Sequence, residues 1–293
     1  MAVGIFMNQK EPIQILVTLD QNYRHILTVM LYSLACTNPQ EHFIVRIMHP
    51  AKEEWSMEGM RRLLPGGQRE QFTFRECAVL EEELSGAPIS ARWPEVMYYR
   101  LFAPWVIPEC PERMLYLDPD IVVLNRVRPL WDMDLCGSWF AGASHVQRTY
   151  HEHLQDPMQV INDVRLGTFG GTYLNSGVLL MDMKQIRENS SAKEILDFIH
   201  RHRAHLRLPD QDVLNMLYKD HLTAVDPFIY NLSDRILNLR NQDILKEKIT
   251  DEWIRANTVF VHYCTRNKPW KKNYIGKLEV YWYEYEGRLE EER

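Results

Sequence analysis

"IQILVTLDQNYRHILTVMLYSLACTNPQEHFIVRIMHP", residues 13–50, decides the fold class. Residues 13–19 form a short apolar run of strand length. Residues 23–35 repeat apolar side chains at helical spacing until TNPQ stops them, and residues 42–50 return to a strand pattern. Working outward, a second helix is expected at 52–64, a third strand at 72–77 and a helix at 95–106. Strands alternating with helices imply an α/β fold with a Rossmann-like, mostly parallel central sheet flanked by helices. Such a sheet binds ligands beyond the carboxyl ends of its strands.

The second half is richer in turns. Residues 167–183, GTFGGTYLNSGVLLMDM, carry four glycines and then a strand-like run. Residues 191–206 read as a helix, and DQDVLNMLY (residues 210–218) starts another with Asp210 as its N-cap. TVFVHYC (residues 258–264) is a late strand, and a last helix is expected from about Lys277. There is no internal repeat and no low-complexity linker.

A chain of 293 residues with 45% hydrophobic content can bury a substantial core, as one large domain with a C-terminal appendage. The formal net charge of −6 leaves no overall basic face for nucleic acid, so an anionic substrate needs a cation to meet it. Five scattered cysteines without CxxC spacing indicate neither a disulfide framework nor a thiolate zinc site, which fits a reducing cytoplasm. The first residues lack a secretion signal, and no run approaches the roughly 18 to 20 apolar residues of a membrane span. The tail, residues 278–293, is aromatic and acidic; it leaves peripheral membrane contact open without arguing for it.

Within this frame, YLDPDIVVL (residues 116–124) interrupts an apolar run with two aspartates. Held one residue apart at a strand end, with Pro119 restricting the backbone between them, Asp118 and Asp120 can chelate a hard divalent cation. The bland alternative is a turn in which Asp118 caps a backbone group and Asp120 is solvated. The apolar flanks favour burial, and buried like charges are costly unless a cation compensates them. His262, inside the apolar run VFVHYC, is either a satisfied core histidine or a third ligand; Lys268 and Trp270 follow it closely. Carboxylates with one imidazole suit manganese or magnesium, and leave open positions for phosphate oxygens.

Six blocks, IQILVTLDQNY, YYRLFAPWVIP, MLYLDPDIVVL, LNSGVLLMDM, DQDVLNML and VHYCTRNKPW, resemble in content and order glycosyltransferase family 8, the group of glycogenin and the bacterial lipopolysaccharide α-galactosyl- and α-glucosyltransferases. The resemblance implies a single GT-A domain over residues 1–293: a nucleotide-binding half at 1–125, a donor-sugar and acceptor half at 126–270, and a C-terminal helical tail at 271–293. It implies transfer of a hexose from UDP-glucose or UDP-galactose to a saccharide acceptor, with retention of anomeric configuration and with Mn2+ or Mg2+ as cofactor.

By the same resemblance, Thr18, Asp20, Asn22 and Tyr23 hold the uracil, Asp118 reaches the ribose, and Asp118, Asp120 and His262 bind the metal. Lys268 and Trp270 wall the diphosphate; Arg100, Asn175, Ser176, Asp210 and Gln211 surround the donor sugar, with Gln211 near the anomeric carbon. Thr265 stands where many relatives carry glycine. Read without the resemblance, Asp20 is equally a helix cap and Arg100 an exposed helix residue. The segments at 144–171 and 231–250 are expected on the acceptor side. A nucleotidyltransferase would need a glycine-rich loop after the first strand, and TLDQNYRH has no glycine. The remaining alternative is a non-catalytic sugar-nucleotide or glycan-binding protein that retains the fold.

Overall fold

The structure is a computed structural model that describes residues 10–80, 82, 94–144, 157–166 and 173–293. Its strands are β1 (Ile13–Thr18), β2 (Phe43–Pro50), β3 (Phe72–Val79), β4 (Arg113–Leu117), β5 (Ile121–Val123), β6 (Phe140–Ser144), β7 (Leu174–Asp182), β8 (Leu222–Val225) and β9 (Phe260–His262). Seven of them form one sheet in the order β3-β2-β1-β4-β7-β6-β8; β5 and β9 pair separately. From β3 to β4 the pairing is parallel, and β7 then runs antiparallel to both β4 and β6.

The sheet is covered on both faces, which explains its nearly continuous apolar strands. Ile15, Val17, Leu115, Leu117 and Leu180 face one core with helices Arg24–Thr37 and Glu279–Glu291. Their neighbours Leu16, Met114, Tyr116, Leu179 and Met181 face the other, with helices Tyr99–Val106, Ala192–His202 and Pro209–Leu217. This is the two-residue period of a strand with both faces buried. The C-terminal helix is therefore part of the first core: Tyr281, Trp282, Tyr285 and Leu289 are buried, and the Tyr32 hydroxyl donates to Glu292 at 2.6 Å.

Several boundaries differ from the sequence reading. The helix expected at 52–64 starts at Met57, because the Ser56 hydroxyl accepts the Gly59 N–H and caps it there. Residues 95–106 divide into a 3-10 turn, Glu95–Met97, and a helix, Tyr99–Val106. The expectation that Asp210 is an N-cap is overturned. The helix begins at Pro209, and the Asp212 carboxylate reaches back to accept the N–H groups of Arg207 and Leu208 at 2.6 and 3.0 Å. The glycines at 167, 170 and 171 and most of the 144–171 segment lie outside the described residues.

Residues 113–124 form two strands, and the break falls at Asp118–Asp120. The Asp118 N–H still donates to Gly177 of β7 (2.8 Å), whereas the Asp120 carbonyl accepts from Tyr263, beside β9 (3.0 Å). Pro119 between them has no N–H for either ladder. The chain therefore leaves the main sheet at the carboxyl end of β4, where parallel pairing gives way to antiparallel. That is where an open α/β sheet presents its ligand crevice.

Candidate active site

Each chemistry-bearing segment is carried to this crevice by a neighbouring element. The β1 carboxyl end brings Thr18 and Asp20 alongside β4, and antiparallel β7 brings its first residues, Asn175 to Gly177, against Asp118. Pairing of His262 with Ile121 in the small sheet sets the imidazole beside Asp120. Helix Pro209–Leu217 starts against β7, where the Ser176 hydroxyl donates to Asp210 (2.9 Å) and the Ser176 N–H to Gln211 Oε1 (3.3 Å).

Asp118, Asp120 and His262 offer three ligand atoms within 4.8 Å of one another. His262 Nε2 lies 3.2 Å from Asp120 Oδ1 and 3.5 Å from Asp118 Oδ2. Both Asp120 Oδ1 and His262 Nε2 are buried and lack a hydrogen-bond partner among the described residues. Two hard oxygens and one imidazole, with buried orphan atoms aimed at a common point, fit a divalent cation of the manganese or magnesium class. Gly177 is part of that fit. A Cβ there would lie 2.6 Å from Asp118 Oδ2 and closer still to His262 Cε1, so only glycine leaves room for the ligands.

The surrounding charges stabilise the carboxylates. Burial opposes ionisation of Asp118, but Arg100 and His262 outweigh it and hold its pKa below the usual range. Asp120 is likewise penalised by burial and driven well down by Lys268 and His262. Lys268 is ion-paired to Asp120 Oδ2 and donates to the Tyr263 carbonyl at 2.6 Å. Burial pushes His262 down, yet Asp120 and the other negative neighbours raise it from 6.5 to about 10. Without a cation the ring thus carries a proton between the two carboxylates, at the position a metal ion would take.

Arg100, expected at the donor sugar by the resemblance and an exposed helix residue on its helix pattern alone, is only 6% exposed. Its guanidinium lies 3.0 Å from Asp118 Oδ1 and 3.4 Å from Asp210 Oδ2, and it donates to the Ser176 carbonyl at 2.8 Å. It also sits 4.3 Å over the Tyr116 ring. Asp210 is raised by burial, with Arg100 opposing.

Thr18, Asp20, Tyr23, Arg100, Asp118 and Asp120 line one cavity of about 310 Å³, together with Pro94, Val96 and Met97. Asp20 does cap a turn, accepting the Asn22 N–H at 2.9 Å, while its residue also lines this cavity. Asn22 itself is exposed and is not among the lining residues. The Trp270 ring packs on the C-terminal helix, its centroid 4.5 Å from that of Trp282, and lies 5.7 Å from Lys268 Nζ, which reaches Asp120. Thr265 donates its hydroxyl to the Asn267 carbonyl at 3.1 Å, within its own turn.

Sequence reasoning missed four contributors. The Tyr116 hydroxyl donates to Asp118 Oδ1 (2.5 Å) and bonds Thr18 Oγ1 (3.0 Å); strand alternation hid it as an apolar core position. Asp212, the second aspartate of DQD, is fully buried and grips Arg165 through both oxygens at 2.6 and 2.9 Å, tying helix Pro157–Leu166 to the site. Gly177 had a legible signal in LNSG. Asn231, expected in an acceptor-side loop, instead bonds His262 Nδ1 at 2.8 Å behind the metal ligands.

Known proteins share this fold. The galactosyltransferase LgtC, solved in complex with donor and acceptor sugar analogs, superposes with a TM-score of 0.74 at 25% identity, covering 94% of this chain and 96% of that one. The architecture is the expected GT-A fold. General stress protein A of Bacillus subtilis is 27% identical over 91% of this chain and 90% of its own. Lipopolysaccharide 1,2-glucosyltransferase of Escherichia coli K12 is 25% identical over 91% of this chain and 75% of its own. Because the model of glycosyl transferase family 8 matches residues 14–274, nearly the whole chain, this protein belongs to glycosyltransferase family 8.

Proposed function

We propose that the protein is a retaining, metal-dependent hexosyltransferase that moves glucose or galactose from a UDP-sugar to a saccharide acceptor, of the lipopolysaccharide type or another glycan. The observation that carries this reading is the convergence of the Asp118–Asp120–His262 ligand set with Lys268 on one side and Arg100, Asp210 and Gln211 on the other. The lipopolysaccharide 1,2-glucosyltransferase and LgtC likenesses point the same way, and they name two different sugars.

On this reading, residues 1–125 supply the nucleotide half. Uracil and ribose enter the cavity of Thr18, Asp20 and Tyr23, and Tyr23 provides the aromatic face. Bound Mn2+ or Mg2+, held by Asp118, Asp120 and His262, would neutralise charge developing on the departing diphosphate. Lys268 adds a cation on the same side. In residues 126–270, Asn175, Ser176, Asp210 and Gln211 orient the hexose, and Arg100 keeps Asp118 and Asp210 in register. Retention then follows from same-face attack, with a UDP phosphate oxygen taking the acceptor's proton. The state of Gln211 supports that choice: its Oε1 already accepts from Asn175 Nδ2 (3.1 Å) and the Ser176 N–H, and is not free to attack carbon. Five free cysteines fit a reducing cytoplasm. No helix among the described residues is long and apolar enough to cross a membrane.

The test is UDP release from a panel of UDP-sugars, with and without a saccharide acceptor, in Mn2+ or in chelator, for the native protein and Asp120→Ala. Release from one donor that needs Mn2+ and is lost in the variant establishes the reading and names the sugar. If Mn2+ promotes UDP binding but no turnover occurs with any acceptor, the non-catalytic binding protein takes its place.

A further inference from the structure

Behind His262 runs a chain of buried side-chain amides whose polarity the main chain sets. The Gly177 N–H donates to Asn175 at 2.9 Å, and since an N–H can only donate, the atom facing it is the Asn175 oxygen. Asn231 therefore turns its Nδ2 toward that oxygen, at 2.8 Å, and its own Oδ1 toward His262 Nδ1, also at 2.8 Å. An oxygen acceptor at that point requires the proton on Nδ1. The lone pair of the neutral ring is then on Nε2, the nitrogen that faces Asp118 and Asp120.

The other end of the chain has the same polarity. Asn175 Nδ2 donates to Gln211 Oε1, and that oxygen also accepts the Ser176 N–H. Two consecutive main-chain N–H groups of β7 thus orient three amides and select one imidazole tautomer. Asn175, Gln211, Asn231 and His262 are all at most 8% exposed, so water has little access to substitute for a missing partner.

We propose that Asn231 is a positioning residue that locks His262 in the tautomer offering Nε2 to a divalent cation and, through Asn175, couples that nitrogen to the orientation of the Gln211 amide. The inference rests on the metal-dependent reading above. An apolar residue at 231 would free the ring to carry its proton on Nε2, which repels a cation instead of binding it. An aspartate would still accept from Nδ1–H but would have no donor for the Asn175 oxygen. The two ends of the chain can therefore be separated by mutation.

The experiment compares the native protein, Asn231→Ala and Asn231→Asp for Mn2+ affinity by calorimetry and for steady-state kinetics. It adds 15N spectra of histidine-labelled protein in Mg2+, which identify the protonated ring nitrogen. Asn231→Ala is expected to bind Mn2+ about 10- to 100-fold more weakly. Asn231→Asp is expected to keep Nδ1–H and an Mn2+ affinity within about threefold of native, while kcat falls with KM little changed. Circular dichroism and a thermal melt monitor folding. Should Asn231→Ala not fold, Asn231→Asp decides: full kcat, or a proton moved to Nε2, overturns the proposal. Native Mn2+ binding with an indifferent Asn231→Ala removes this inference alone. A native protein that binds no Mn2+ removes the metal-dependent reading and this inference together.

Discussion

Gly177→Ala tests the geometry of the candidate metal site with a single methyl group. The added Cβ would stand 2.6 Å from Asp118 Oδ2 and 3.0 Å from Asn175 Oδ1, with His262 Cε1 nearer than either. An ordinary carbon–oxygen contact is about 3.3 Å or longer, so Asp118 must retreat by roughly 0.7 Å and His262 by more. Neither can do so freely. Asp118 is held by Tyr116 and Arg100, and His262 by Asn231. The strain therefore either spreads the ligand atoms or bends β7. Overpacking of this kind costs about 1–3 kcal/mol of stability, and displaced ligands weaken metal binding by about 10- to 100-fold. The assay is Mn2+ titration calorimetry beside urea unfolding. Gly67→Ala is the control, because a Cβ there meets nothing within 4 Å. Native Mn2+ affinity in Gly177→Ala would refute the reasoning, since it would mean that the cation does not sit between these side chains.

Four further outcomes follow. Arg100→Lys cannot reach Asp118, Asp210 and the Ser176 carbonyl together; it should destabilise the fold by about 3 kcal/mol and lower UDP-sugar turnover about 100-fold, read by denaturant unfolding and UDP release. Because the metal-free His262 is raised from 6.5 to about 10, Mn2+ binding near neutral pH should expel its proton and tighten as pH rises; calorimetry in buffers of different ionisation enthalpy counts the protons, and none released would contradict the assignment. The same shift stabilises the metal-free fold fully below pH 6.5 and is lost as pH rises through about 10, so chelator-treated protein should unfold more easily toward alkaline pH, with Mn2+ restoring it. Trp270→Ala, which removes packing on Trp282, should cost about 3 kcal/mol or more of stability and leave UDP affinity near native, measured by thermal unfolding and fluorescence titration.

How much was legible beforehand differs from element to element. Residues 13–50 declared their strand, helix and strand because both sheet faces are buried and the helix is apolar at regular spacing, which are local patterns. The spacing of Asp118 and Asp120 around Pro119 was equally local, and so was the burial implied by their flanks. A histidine in an apolar run reads alike as core residue and as ligand, so only the family resemblance assigns His262 to the metal. The strand end at the two aspartates was legible too, but not that the chain beyond Pro119 leaves the main sheet to pair with β9, because that depends on Gly177 accepting the Asp118 N–H and Tyr263 donating to the Asp120 carbonyl.

Arg100 and Asn231 mark the boundary most clearly. Arg100 lies in an amphipathic helix whose own pattern says nothing of carboxylates 18 and 110 residues further on. Asn231 lies in a polar stretch that resembles a surface loop, and it enters the site only because the chain there pairs beside β9. The sequence by itself determined the elements, the α/β class and the residues able to bear charge or bind a cation, because propensity, periodicity and side-chain chemistry are carried by near neighbours. Only the tertiary structure decided which of those residues face one another, which amide orients which imidazole and why residue 177 must be glycine, because those interactions join segments that meet only once the two sheets have packed.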